Sequence, residues 1–183
     1  APPFDKIKTE HYMPAFTEGM KQHQAEIDSI ANNPEAPTFA NTIEKMDFSG
    51  ELLKKVSSAF FNVQSADTND DLDSIAKEIT PELTAHNDNI YLNDKLFQRV
   101  KTLYDNRTNL GLTAEQNRLL EKYYKNFIRS GAALNETQKA GLREINKELS
   151  SAELNFAQNV LAETNAYQKF VTSKDELKGL PEG

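Results

Sequence analysis

Apolar residues recur along this chain at steps of three and four, the spacing of one face of an α-helix, almost from end to end. The first stripe is Met13, Phe16, Met20, Ile27 and Ile30, with His23 filling the step between. Pro14 suits a first helical turn, where its missing N–H costs nothing, and Asn32-Asn33-Pro34 stops the helix. After Glu35-Ala36-Pro37, Asn41 with Glu44 reads as a capping box, with Thr38 as an alternative start. The next stripe, Ile43, Met46, Gly50, Leu53, Val56, Phe60 and Val63, keeps its register across Ser49-Gly50. The spacing therefore predicts one long helix that bends or packs closely at Gly50.

Polar, acidic Asp67-Thr68-Asn69-Asp70-Asp71 suits a turn and a helix N-terminus, where negative charge meets unpaired N–H groups. The third stripe is Leu72, Ile75, Ile79, Leu83, His86 and Ile90, interrupted by Pro81, which removes one backbone hydrogen bond and should kink the helix. Asn93 can cap a fourth helix carrying Leu96, Phe97, Val100, Leu103 and Tyr104. Thr113 with Gln116, and Asn135 with Gln138, are capping boxes opening a fifth and a sixth. The fifth shows Leu120, Tyr123, Tyr124, Phe127 and Ile128, and the sixth Leu142, Ile145, Leu149, Ala152, Phe156 and Val160. Tyr167-Gln168-Lys169-Phe170-Val171 alternates at a period near two, a short strand or an extended arm. The tail Gly179-Leu180-Pro181-Glu182-Gly183 is loop-like. The pattern predicts an all-α bundle of about six helices built from antiparallel hairpins, a single domain over residues 1–183.

Composition narrows the partners. The 183 residues carry 21 basic and 28 acidic side chains, a formal charge of −7, so the electrostatic attraction behind nucleic-acid or anionic-membrane binding is missing. No apolar run reaches membrane-span length, and Ala1-Pro2-Pro3-Phe4 has no signal-peptide character. The absence of Cys excludes thiolate metal sites and cysteine nucleophiles, and fits either a cytoplasmic or a periplasmic chain. The Ala1 start reads as a trimmed or cleaved product.

Chemistry-bearing residues are few. His11, His23 and His86 are the only histidines, and no His-Glu-x-x-His pairs two of them on one helix face with a glutamate to activate a zinc-bound water. His23 and His86 lie on apolar stripes, which reads as imidazoles hydrogen-bonded inside the bundle, and His11 as an exposed residue or a cap. Asp67, Asn69, Asp71, Asp73 and Glu78 fall at calcium-loop spacing, but Leu72 occupies the position of the sharp turn that needs Gly. Lys174-Asp175-Glu176-Leu177 is a retention motif only at a free C-terminus. Phosphate-binding Gly loops and nucleophile elbows are absent, so neither a catalytic nor a metal-ligating residue can be named.

Ordered short motifs carry a resemblance. Pro2-Pro3-Phe4-Asp5-Lys6-Ile7, Glu10-His11-Tyr12, Pro14-Ala15-Phe16, Pro37-Thr38-Phe39 with Asn41-Thr42-Ile43, and Ser49-Gly50-Glu51-Leu52-Leu53 come first. Phe60-Phe61-Asn62, Ala85-His86-Asn87-Asp88, Ile90-Tyr91-Leu92-Asn93, Gly131-Ala132 and Gly179-Leu180-Pro181-Glu182 follow. Together they resemble the N-terminal region of the peptidyl-dipeptidase branch of the thimet oligopeptidase and neurolysin family of zinc metallopeptidases. The resemblance implies a parent enzyme that releases dipeptides from the C-terminal ends of short unblocked peptides, in a channel between two mostly helical halves. It also implies that zinc and its ligands lie downstream, in a C-terminal catalytic half, and that this chain forms one wall of the channel. No catalytic or metal residue carries over, and channel-facing residues are not identifiable. A free-standing acidic helical module that binds a partner helix or peptide is the competing expectation.

Overall fold

The stripes become helices at nearly the residues their spacing assigns. The computed structural model describes residues 2–179, so the tail motif past Gly179 lies outside the described residues. Helix α1 (Tyr12–Ala31) is followed by a π-helical turn (Phe39–Glu44) running into the short α2 (Lys45–Phe48). Then come α3 (Glu51–Ala66), α4 (Asp70–Tyr91), α5 (Asp94–Asp105), α6 (Ala114–Arg129) and α7 (Glu136–Ala166). The class is all-α, with six long helices and no strand among the described residues. Tyr167–Val171 is an exposed extended arm rather than a strand.

Side-chain caps set most of the starts. The Leu72 N–H donates to Asn69 Oδ1 and the Leu96 N–H to Asn93 Oδ1, each at 3.0 Å. Thr113 with Gln116 and Asn135 with Gln138 form the reciprocal boxes their spacing implied. At the second element the cap is Thr38, not Asn41: the two exchange hydrogen bonds of 2.8 and 3.1 Å. Buried Arg99 then ties the preceding loop to α5, donating to Asn33 O, Glu35 O and Asn41 Oδ1 at 2.9 to 3.0 Å.

The single long helix expected across Gly50 is instead two. Ser49 is extended (ψ 158°) and Gly50 left-handed (φ 71°), so the chain turns sharply between α2 and α3 while the stripe stays in phase. Periodicity could not reveal this, because a break that preserves register leaves the pattern of buried positions unchanged.

Two apolar clusters fill the bundle. Tyr12, Phe16, Leu53, Phe60, Leu72, Ala76 and Ile79 make one; Ile27, Ile30, Ile43, Met46, Ile90, Leu96, Phe97, Val100, Leu103, Leu120 and Phe127 belong to the other. Helices α1 and α3 run antiparallel, Tyr12 meeting Phe60 edge-on at 5.0 Å, and approach so closely that a Cβ on Gly19 would lie 3.0 Å from Leu53 Cα. The α5–α6 pair is antiparallel too, with Tyr104 stacked on Tyr124 at 3.8 Å and Phe97 on Phe127 at 5.9 Å. Helices α1 and α4 lie side by side in the same direction, each contributing to both clusters. Between the clusters each of these two helices places a histidine.

Candidate functional site

The 31 residues of α7 run antiparallel to α4, and the face turned toward α4 is mostly polar. Lys139 is 3% exposed and pairs with Asp94, with Glu136 at 3.4 Å. One turn on, Arg143 Nη1 donates to Asn89 Oδ1 at 3.0 Å, and Asn146 Nδ2 donates to Asp88 Oδ1 at 2.8 Å. Burial pushes the Asp88 carboxyl above its ordinary range, while the Asn146 hydrogen bond and the Arg143 charge pull it back. Leu154 adds an apolar contact to the first cluster farther along.

The apolar stripe of this helix points the other way. Ile145 is 61% exposed and Phe156 70%, and Leu149, Ala152 and Val160 are exposed with them; Leu142 alone is half-buried. The spacing puts these residues on one face, and the bundle leaves that face uncovered. The polar ladder decides the direction, because the buried Lys139 ammonium must face a partner, which Asp94 at the start of α5 supplies, and the buried Asp88 carboxyl of α4 takes its own from Asn146. Substituting Asp94 by Asn should therefore destabilise the chain by about 1–2 kcal/mol, the reduced cost expected when one member of the ion pair is itself mostly exposed. Urea denaturation of Asp94→Asn checks this, and an unchanged midpoint would show that the pair does not hold α7.

The second constellation joins α1, α4 and the break before α3. His86 Nε2 and His23 Nδ1 are 3.0 Å apart, His23 Nε2 is 3.2 Å from Ser49 Oγ, and Ser49 Oγ donates to Met46 O at 2.7 Å. Since the hydroxyl proton goes to Met46, the network assigns His23 as donor to Ser49 and acceptor from His86. Burial pushes both imidazoles below their ordinary pKa; Glu26 opposes this at His23, and the His23 charge adds to it at His86. Sequence reading placed each histidine inside the bundle but could not pair them across 63 residues.

Serine, imidazole and imidazole in a row invite comparison with a nucleophilic triad, but here the serine hydroxyl donates to Met46 O and not to an imidazole. The adjacent Gly50 N–H, a backbone donor that could serve an oxyanion, already donates to Glu26 Oε2 at 2.7 Å. The arrangement can hold or share a proton between two helices.

Zinc, which the resemblance implies for the parent, does not fit the residues present. Among the described residues no three His, Cys, Asp or Glu side chains are grouped to hold a metal ion, and the histidine pair spends its facing nitrogens on each other. The acidic run at calcium-loop spacing is absorbed by the start of α4: Asn69 caps it, and Asp73 Oδ1 accepts from Thr68 Oγ1 at 2.6 Å and from Gln64 Nε2 at 3.1 Å. His11 Nδ1 accepts from the Lys8 N–H at 3.1 Å, a local cap before α1. No helix of the described residues is long and apolar enough to cross a membrane.

No protein-family model matches the chain. Individual relatives do. Dipeptidyl carboxypeptidase of Escherichia coli (strain K12) is 41% identical over 182 residues, 100% of this chain and 27% of that protein. Dipeptidyl carboxypeptidase of Salmonella typhimurium is 41% identical over 98% of this chain and 26% of its own. Oligopeptidase A of Salmonella typhimurium is 23% identical over 99% of this chain and 27% of its own. The part matched is the N-terminal part of these peptidases. Along its whole length the chain is a relative of the dipeptidyl carboxypeptidases and oligopeptidases A, the thimet oligopeptidase-like family its motifs resemble, and it spans about a quarter of their length.

Proposed function

We propose that residues 1–183 form the N-terminal, non-catalytic helical domain of a zinc-dependent peptidyl-dipeptidase, one wall of a channel that admits short unblocked peptides. The observation that carries the reading is the end-to-end match, at 41% identity, to about a quarter of the dipeptidyl carboxypeptidases. The chemistry of the site is consistent with it. Metal-assisted hydrolysis needs a metal to lower the pKa of bound water, a base, and donors for the developing oxyanion. The two histidines that meet here are hydrogen-bonded to each other across two packed helices, a structural use of the side chain. The domain's contribution is then confinement: a helical wall orients a bound peptide and keeps folded proteins from the reacting bond without touching it.

The test starts from the reading frame. It should continue past Gly183 for several hundred codons and encode a His-Glu-x-x-His helix. The full-length protein should release C-terminal dipeptides from an unblocked pentapeptide in a chelator-sensitive reaction read by mass spectrometry, and residues 1–183 alone, with zinc added, should release none. Chelator-sensitive turnover by the short chain would overturn the reading, and a stop codon near Gly183 would hand it to a free-standing binding module.

A further inference from the structure

We propose that the outward face of α7, from Ile145 through Leu149, Phe156 and Val160 and on to Tyr167 and Phe170, is where the downstream part of the same polypeptide seats. This rests on the reading of the chain as the first part of a longer peptidase. Helix α7 faces the wrong way for a helix at the edge of a bundle. An amphipathic helix at the edge of a bundle buries its apolar stripe and shows water its polar one. Helix α7 does the reverse: Lys139 faces the start of α5 and Arg143 and Asn146 face α4, while the apolar stripe is open to solvent over about four turns. A contiguous apolar strip of that length marks a contact surface.

Three observations choose the occupant. The exposed apolar residues do not stop where the helix stops; Tyr167, Phe170 and Val171 are exposed on the arm that follows α7 directly, so a segment following in sequence starts from this end of the strip. Matter to cover it exists, since the relatives are roughly four times as long as the part matched. A second copy is the poorer fit. On α7 and the arm the exposed acids Glu144, Glu148, Glu153 and Glu163 outnumber the exposed bases Lys147 and Lys169, and the chain carries a formal charge of −7, so pairing two such faces sets like charges against each other. The seated segment accordingly presents an apolar helix or sheet face bordered by Lys and Arg.

Hydroxyl-radical footprinting of the full-length protein and of residues 1–183 reads this directly through the aromatic side chains. Phe156, Tyr167 and Phe170 should react about fivefold or more slowly in the full-length protein. In parallel, Phe156→Asp with Val160→Asp should lower the melting temperature of the full-length protein by about 5 °C or more and leave that of residues 1–183 unchanged, because only the first loses a buried contact. Equal reactivity in the two proteins, in a full-length protein that does release dipeptides, overturns the seating while sparing the proposed function. Self-association of residues 1–183 that Phe156→Asp abolishes assigns the face to a second copy and also overturns it.

Discussion

Gly50→Ala is expected to cost the protein about 3 kcal/mol, although it adds one methyl group to a residue that the hydrophobic pattern places inside a helix. Two penalties combine. At φ 71° an L-residue gives up about 1–2 kcal/mol that glycine does not. The new Cβ would also lie 2.9 Å from His23 Nδ1 and 3.0 Å from two ring carbons, closer than real contacts allow. That ring cannot swing aside cheaply, because Ser49 holds one of its nitrogens and His86 the other. Urea denaturation measures the loss, and the double variant with His23→Ala separates its parts: the steric share should be recovered and the backbone share should remain. A midpoint for Gly50→Ala within about 0.5 kcal/mol of the starting protein would mean that the turn relaxes freely and that the break between α2 and α3 is not fixed by this residue.

Gly50 also shows where the sequence was legible. Whatever is encoded locally could be read: stripes at helical spacing, the Asn69 and Asn93 caps, and the boxes at Thr113 and Asn135 all depend on residues within one turn. A left-handed glycine in phase with its stripe sends no local signal. Nor does the direction in which an apolar stripe faces. The Phe156 stripe of α7 has the periodicity of a core face and is solvent-exposed here, because Asp88, Asn89 and Asp94, some fifty residues earlier, bind the opposite side of the helix. The motif resemblance reached farther than either, since it draws on the order of many short segments along the whole chain, and the relatives matched end to end agree with it.

The histidine pair needs both kinds of information, and it makes stability depend on pH. His23 and His86 are brought together by α1 and α4 running in the same direction, with the Tyr12–Ile79 cluster on one side and the Ile27–Ile90 cluster on the other. Their facing nitrogens, 3.0 Å apart, hold one proton between them. A doubly protonated pair would set two N–H groups against each other. Burial lowers both pKa values from 6.5; the charged group that bears on His23 is Glu26, one turn away on α1, and on His86 it is His23 itself. Because the folded-state values are depressed, the unfolded chain binds more protons than the folded one once the pH drops below about 6.5. Stability is therefore fully present above that pH and is lost as the pH falls, by up to about 1.4 kcal/mol per pH unit for each imidazole. Asp88 acts in the opposite sense at lower pH, its raised pKa making the folded chain the better proton binder there, so the comparison is best made between pH 7.5 and 5. Urea midpoints over that range should fall steeply for the unaltered chain and much less for His23→Gln with His86→Gln, which keeps amide donors and acceptors but nothing that titrates. Parallel profiles for the two proteins would show that the pair stays neutral at no cost to folding, and the joint between the two clusters would then be insensitive to acid.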